Sequence, residues 1–129
     1  MYRILAFVSA AMILSPQFAD AQDKELFYVG TYTGKASKGI YLFELDKNTG
    51  KLTDLGVAAE TPNPTFLAIH PNRTELYAVS EIGSFEGKPT GAVAAFKIDP
   101  KTKLLTLLNK QPSGGGGPCH VSIDKAGKN

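Results

Sequence analysis

The chain writes one pattern of short strands twice, and this constrains its fold more than any other feature. LYAVSEIG repeats LFYVGTYT, so Leu76 falls on Leu26. AAFKIDPKTKLLTLL repeats YLFELDKNTGKLTDL. Here Asp99 falls on Asp46, Thr102 on Thr49, Leu105 on Leu52, Thr106 on Thr53 and Leu108 on Leu55. GPCHVSIDKAGKN repeats NPTFLAIHPNRTE, with Pro118 on Pro64, Asp124 on His70 and Ile123 on Ile69. The offset drifts from 50 to 54 because the loops differ in length. Self-similarity at a period of roughly 40–50 residues, with four strands per unit, marks the blades of a β-propeller.

Beyond residue 21 no long 3.6-residue periodicity is present, and short apolar runs alternate with Gly, Pro, Asn and Lys turns. The runs predict strands at 25–32, 40–46, 51–59, 65–70, 75–81, 92–99, 104–111 and 119–124. Within a blade, TFLAIH is innermost, ELYAVSE second, AVAAFKID third and LLTLLNKQ outermost. PSGGGGP then crosses to the next inner strand, CHVSID. Runs such as FLAI and VAAF are apolar on both sides because both faces of a blade pack on neighbours. The fold class is all-β, built from four-stranded antiparallel blades.

The pattern opens on a second-position strand and ends on an inner one. Two blades cannot close a ring, which takes roughly four to eight, and bare blade edges invite pairing. The sequence therefore reads as part of a longer chain, with closure by several copies as the alternative.

Residues 1–21 stand apart from the repeat. Arg3 precedes the apolar run Ile4 to Leu14, which is too short to span a bilayer at roughly 20 residues. Pro16 breaks the run, and Ala19-Asp20-Ala21 supplies the small residues of a cleavage site. This predicts a secretory signal cut after Ala21, a periplasmic or secreted product over 22–129, and no membrane association after cleavage, with an uncleaved membrane anchor as the alternative. The net charge of +2 is too mild for a nucleic-acid partner. The single cysteine, Cys119, cannot form a disulfide within the chain.

VGTYTGKASKGIYLFELDKNTGKLTDL, NPTFLAIHPNRTELYAVSE and PSGGGGPCHVSIDKAGK together resemble the opening of the lactonase-family seven-bladed propellers, the 6-phosphogluconolactonase-like proteins. The resemblance covers Leu26 to Asn129, about two blades of a seven-bladed ring. It implies hydrolysis of a sugar δ-lactone to the aldonic acid, without a cofactor, by a monomeric full-length ring. Further His and Arg residues would lie in later blades, so a piece of this length is expected to be inactive alone. A carboxy-muconate cyclase branch and a non-enzymatic periplasmic binding propeller are the alternatives. Export argues against a phosphorylated substrate, because phosphogluconolactone is a cytoplasmic intermediate.

Lactone hydrolysis needs a base to activate water and a donor for the developing oxyanion. In a propeller the starts of inner strands and the ends of second strands share one rim. That rim takes Thr65, Phe66, Cys119 and His120, with Glu81 and the 82–91 loop beside them and Thr31 and Tyr32 as first-blade equivalents. His120 is the candidate general base, a histidine being able to take a proton near neutral pH; the alternative is a packing residue at a blade junction. Glu81 is a second candidate, as base or as orienter of His120, or is simply a solvated strand-end carboxylate. Gly116 and Gly117, within the run Gly114 to Gly117, offer backbone N–H groups to an anion, or serve only as a flexible crossover. Cys119 beside them is read as a substrate-side residue and as a small, semi-buried thiol rather than a nucleophile. His70 falls at the opposite rim and is read as structural. Lys88 is a mobile loop charge. No metal-ligand spacing is present.

Overall fold

A computed structural model describes residues 23–129. The expected leader and its cleavage after Ala21 lie outside them. Seven antiparallel strands form two sheets: β1 (Lys24–Val29), β2 (Gly39–Asp46) and β3 (Leu52–Glu60) in one, and β4 (Leu67–Ile69), β5 (Glu75–Ser80), β6 (Ala92–Ile98) and β7 (Leu105–Pro112) in the other. The second sheet has the order β4-β5-β6-β7, the four-stranded meander expected of one blade. The first has three strands and opens on the second-position strand, as the sequence indicates.

The two sheets repeat each other down to single hydrogen bonds. The amide of Asp46 donates to Lys51 O at 2.9 Å and that of Gly50 to Asp46 O at 2.8 Å; Asp99 to Leu104 O at 2.9 Å and Lys103 to Asp99 O at 3.0 Å reproduce them. Each aspartate also accepts two turn amides on Oδ1, from Asn48 and Thr49 in one turn and from Lys101 and Thr102 in the other. Short acidic side chains suit such turns because they bond the backbone two or three residues on. The ladder shifts register between Leu42 and Phe43 in the first sheet and between Ala95 and Phe96 in the second. The skipped residues, Leu55 and Leu108, are repeat partners, so the bulge that sharpens blade twist is written into the repeat.

The core lies between the sheets. Ile40, Leu42 and Ala58 of the first blade join Leu76, Ala78, Ala94, Phe96, Ile98 and Leu105 of the second in one buried cluster. Small alanines among larger side chains let two twisted surfaces interdigitate at native density. Tyr28 adds a tie across the junction, its hydroxyl donating to Lys103 O at 2.7 Å.

The strand expected over 119–124, CHVSID, is absent. Among the described residues no strand runs alongside it, so its backbone groups have no ladder to join. The turn after it is nevertheless formed. Asp124 N donates to Asn129 O at 2.9 Å and Gly127 N to Asp124 O at 3.0 Å, matching His70 N to Glu75 O and Arg73 N to His70 O. The third repeat of the hairpin turn is therefore present in its bonding even without a strand before it.

Candidate functional site

The rim is assembled where the end of β1, the approach to β4, the end of β5 and the 113–120 crossover converge. Its geometry starts at Gly30. A Cβ on Gly30 would sit 1.9 Å from Pro64 O, so only glycine lets the buried Pro64 backbone lie against the first blade.

Asn63 precedes that proline with φ 42°, a left-handed conformation that asparagine tolerates better than most residues. From there its side chain bridges the blades. Oδ1 accepts from Thr33 N and Thr33 Oγ1, both at 2.9 Å. Nδ2 donates to Glu81 O at 3.0 Å, and Glu81 N returns a bond to Asn63 O at 3.0 Å. Asn63 thus fixes the loop after β1 against the end of β5.

That latch brings Tyr32 to Glu81 across the blade junction. The phenol donates to Glu81 Oε1 at 2.7 Å, and Thr65 Oγ1 donates to Oε2 at 2.5 Å. The Thr65 bond, then the Tyr32 bond, holds the Glu81 carboxyl below the usual carboxylate range. The same contact with Glu81 raises the Tyr32 phenol. Glu81 is therefore an anion with an oriented hydrogen-bond shell, poorly matched to a base that must bind a proton near pH 7. Its oxygens are held by Tyr32 and Thr65 rather than by His120.

His120 is exposed and packs its ring on Phe66, centroids 4.4 Å apart and planes tilted by 50°. Since Phe66 follows Thr65, His120 and Glu81 share one rim. Cys119 is also exposed, where a semi-buried thiol is expected; among the described residues no sheet follows the crossover to cover it.

The glycine run is tied to its surroundings by backbone bonds. Gly117 N donates to Ile82 O at 2.9 Å, so this donor is already used and does not face an anion. Gly115 O accepts from Gly91 N and from Ser113 Oγ, both at 2.7 Å. Gly116 approaches Gly83, where an added Cβ would stand 3.9 Å from the Gly83 Cα. Gly117, at φ 60°, is the repeat partner of Asn63, so this junction keeps the backbone conformation without the side-chain latch.

The 82–91 loop carries a tight two-residue turn. Phe85 and Lys88 exchange backbone bonds at 3.0 and 3.1 Å around Glu86 and Gly87, both with positive φ. The Lys88 side chain is exposed on it. Thr31 bonds Ser37 Oγ and Gly39 O and so closes its own loop.

His70 stands at the other rim, as expected. Asn72 N donates to its Nδ1 at 3.2 Å, which leaves Nε2–H to donate to Gly127 O at 3.1 Å. Asn63 was the residue that sequence reasoning missed. The signal available was an Asn-Pro whose repeat partner is Gly-Pro, the residue pair that shares tolerance for positive φ.

Comparisons agree with this architecture. The family pattern described as "Lactonase, 7-bladed beta-propeller" matches residues 26–129. A 6-phosphogluconolactonase of Bacillus subtilis (strain 168) is 45% identical over 101 residues, covering 78% of this chain and 28% of that protein. A crystal structure from Bacteroides uniformis superposes with a TM-score of 0.70 at 37% identity, over 80% of this chain and 29% of that one. The periplasmic gluconolactonase of Pseudomonas aeruginosa superposes with a TM-score of 0.67 at 28% identity, over 80% and 29%. The chain thus spans somewhat over a quarter of the length of the relatives it matches, and it belongs to the lactonase family of seven-bladed β-propellers.

Proposed function

We propose that the complete ring carrying this segment is a lactonase that opens a sugar δ-lactone to the aldonic acid, with His120 as general base. The observation that carries this is the exposed His120 ring, set on Phe66 at the same rim as the Thr65–Glu81–Tyr32 bonds. In this reading His120 takes a proton from water as the oxygen adds to the lactone carbonyl. The ring C–O bond then breaks, and the same proton passes to the departing ring oxygen, which becomes a hydroxyl. The family membership and the relatives named for lactonase activity support the reaction class.

The leader expected over residues 1–21 supports a location in the periplasm or outside the cell. It favours an unphosphorylated lactone, in line with the periplasmic gluconolactonase among the structural relatives. Fractionation of cells making the protein from its own start codon checks the location. The reaction is tested by assaying the complete protein and its His120→Asn variant on D-glucono-1,5-lactone above the spontaneous rate. Loss of a general base is expected to lower kcat by about 10²–10⁴-fold with the fold intact. Undiminished turnover in His120→Asn would remove His120 from the mechanism.

A further inference from the structure

We propose that Tyr32, Glu81 and Thr65 form a subsite that reads hydroxyl donors, seating the polyol edge of a sugar lactone beside the exposed rings of Tyr32, Phe66 and His120. The proposal rests on the lactonase reading and assigns Glu81 a binding role in place of a basic one.

The chemistry follows from what each atom has left to offer. An ionised carboxylate is acceptor-only, with about four lone-pair sites on its two oxygens. Tyr32 and Thr65 each occupy one, one per oxygen. The remaining positions accept further O–H donors, which a polyhydroxylated ring supplies and a phosphate dianion does not. The Tyr32 oxygen, its hydrogen committed to Glu81, is itself an acceptor for a neighbouring hydroxyl. Bonds to a charged acceptor are the stronger kind, so the carboxylate is a suitable anchor.

The apolar half is adjacent. Tyr32 is 66% exposed and Phe66 38% exposed, with His120 packed on the latter. An aromatic face beside a fixed acceptor set matches the two sides of a sugar ring, C–H groups on one side and hydroxyls at the edge. Asn63 is the positioning residue: it touches the backbones of Thr33 and Glu81, the neighbour of Tyr32 and its partner, and so sets their separation.

The test compares D-glucono-1,5-lactone with δ-valerolactone, which has the same ester but no ring hydroxyls, using the complete propeller. In Tyr32→Phe the ratio of kcat/KM for gluconolactone to that for valerolactone is expected to fall about 3- to 10-fold, the effect of one hydrogen bond. The change should lie mainly in KM, and Glu81→Gln should move the ratio the same way. A ratio unchanged within about twofold, or equal losses on both substrates in a folded variant, overturns the subsite. Wild-type protein inert towards both lactones would instead refute the lactonase reading. Binding of D-glucitol, followed by NMR signals of Tyr32 and Phe66, then decides separately: shifts lost in Tyr32→Phe sustain the subsite, and no shifts end it.

Discussion

Thr33 gives both its backbone N–H and its hydroxyl to a single atom, Asn63 Oδ1, at 2.9 Å each, from thirty residues away and from the neighbouring blade. Asn63 N returns a bond to the Thr33 hydroxyl at 3.3 Å. The pair closes the blade junction at the rim, as Tyr28 and Lys103 close it elsewhere.

Asn63→Ala is therefore expected to be among the costlier substitutions of a half-buried polar residue. It strands the Thr33 donors and the Glu81 carbonyl, and such unpaired groups cost on the order of 1–3 kcal/mol. The left-handed backbone adds to the loss, so Asn63→Gly should recover part of it. Urea midpoints of the two variants measure the difference.

Gly30→Ala should destabilise by about 1–3 kcal/mol or more, because the new methyl meets the Pro64 carbonyl, a backbone atom that cannot swing aside. Gly34 is the control. A Cβ there meets nothing within 4 Å, so Gly34→Ala should lie within about 0.5 kcal/mol of the parent. Equal urea midpoints for the two variants would contradict the close blade contact.

The turn aspartates predict the acid limb of stability. Backbone N–H bonds from Thr49 at Asp46, and from Thr102 and Lys101 at Asp99, lower these carboxyls from 3.8. A lowered folded-state value favours the ionised form. The stabilisation is thus complete above the unfolded value near 4 and is lost as pH falls through the lower folded values. Asp99→Asn should be less stable than the parent at pH 6–7, and the gap should narrow as pH falls below the ordinary aspartate value of 3.8. A gap that persists unchanged into acid, in urea titrations at each pH, would contradict the assignment.

Most of the fold was legible because blades recur. The pairs Asp46/Asp99 and His70/Asp124 marked recurring turns, each a local matter of backbone conformation and side-chain reach, whereas the bulge at Leu55 and Leu108 emerged only in the ladders. The strand order within a blade followed from short connections between consecutive strands. CHVSID forms no strand because an apolar run states a preference for a sheet but not the presence of a partner. At the rim, sequence placed His120, Glu81 and Thr65 together correctly, since their positions follow from strand direction. It did not reveal that the Glu81 oxygens are occupied by Tyr32 and Thr65, nor that Gly117 N–H is bonded to Ile82.

The amino-acid order alone determined the repeating unit, the polarity of its strands and the sharing of one rim by residues about forty positions apart. Those properties come from local propensity and the alternation of side chains along a strand. Tertiary structure decided which polar atoms were already bonded once the blades met. That depends on distances of a few tenths of an ångström between segments far apart in the chain, set by the Gly30–Pro64 approach and by the Asn63 side chain, and no pattern of residue types encodes them directly.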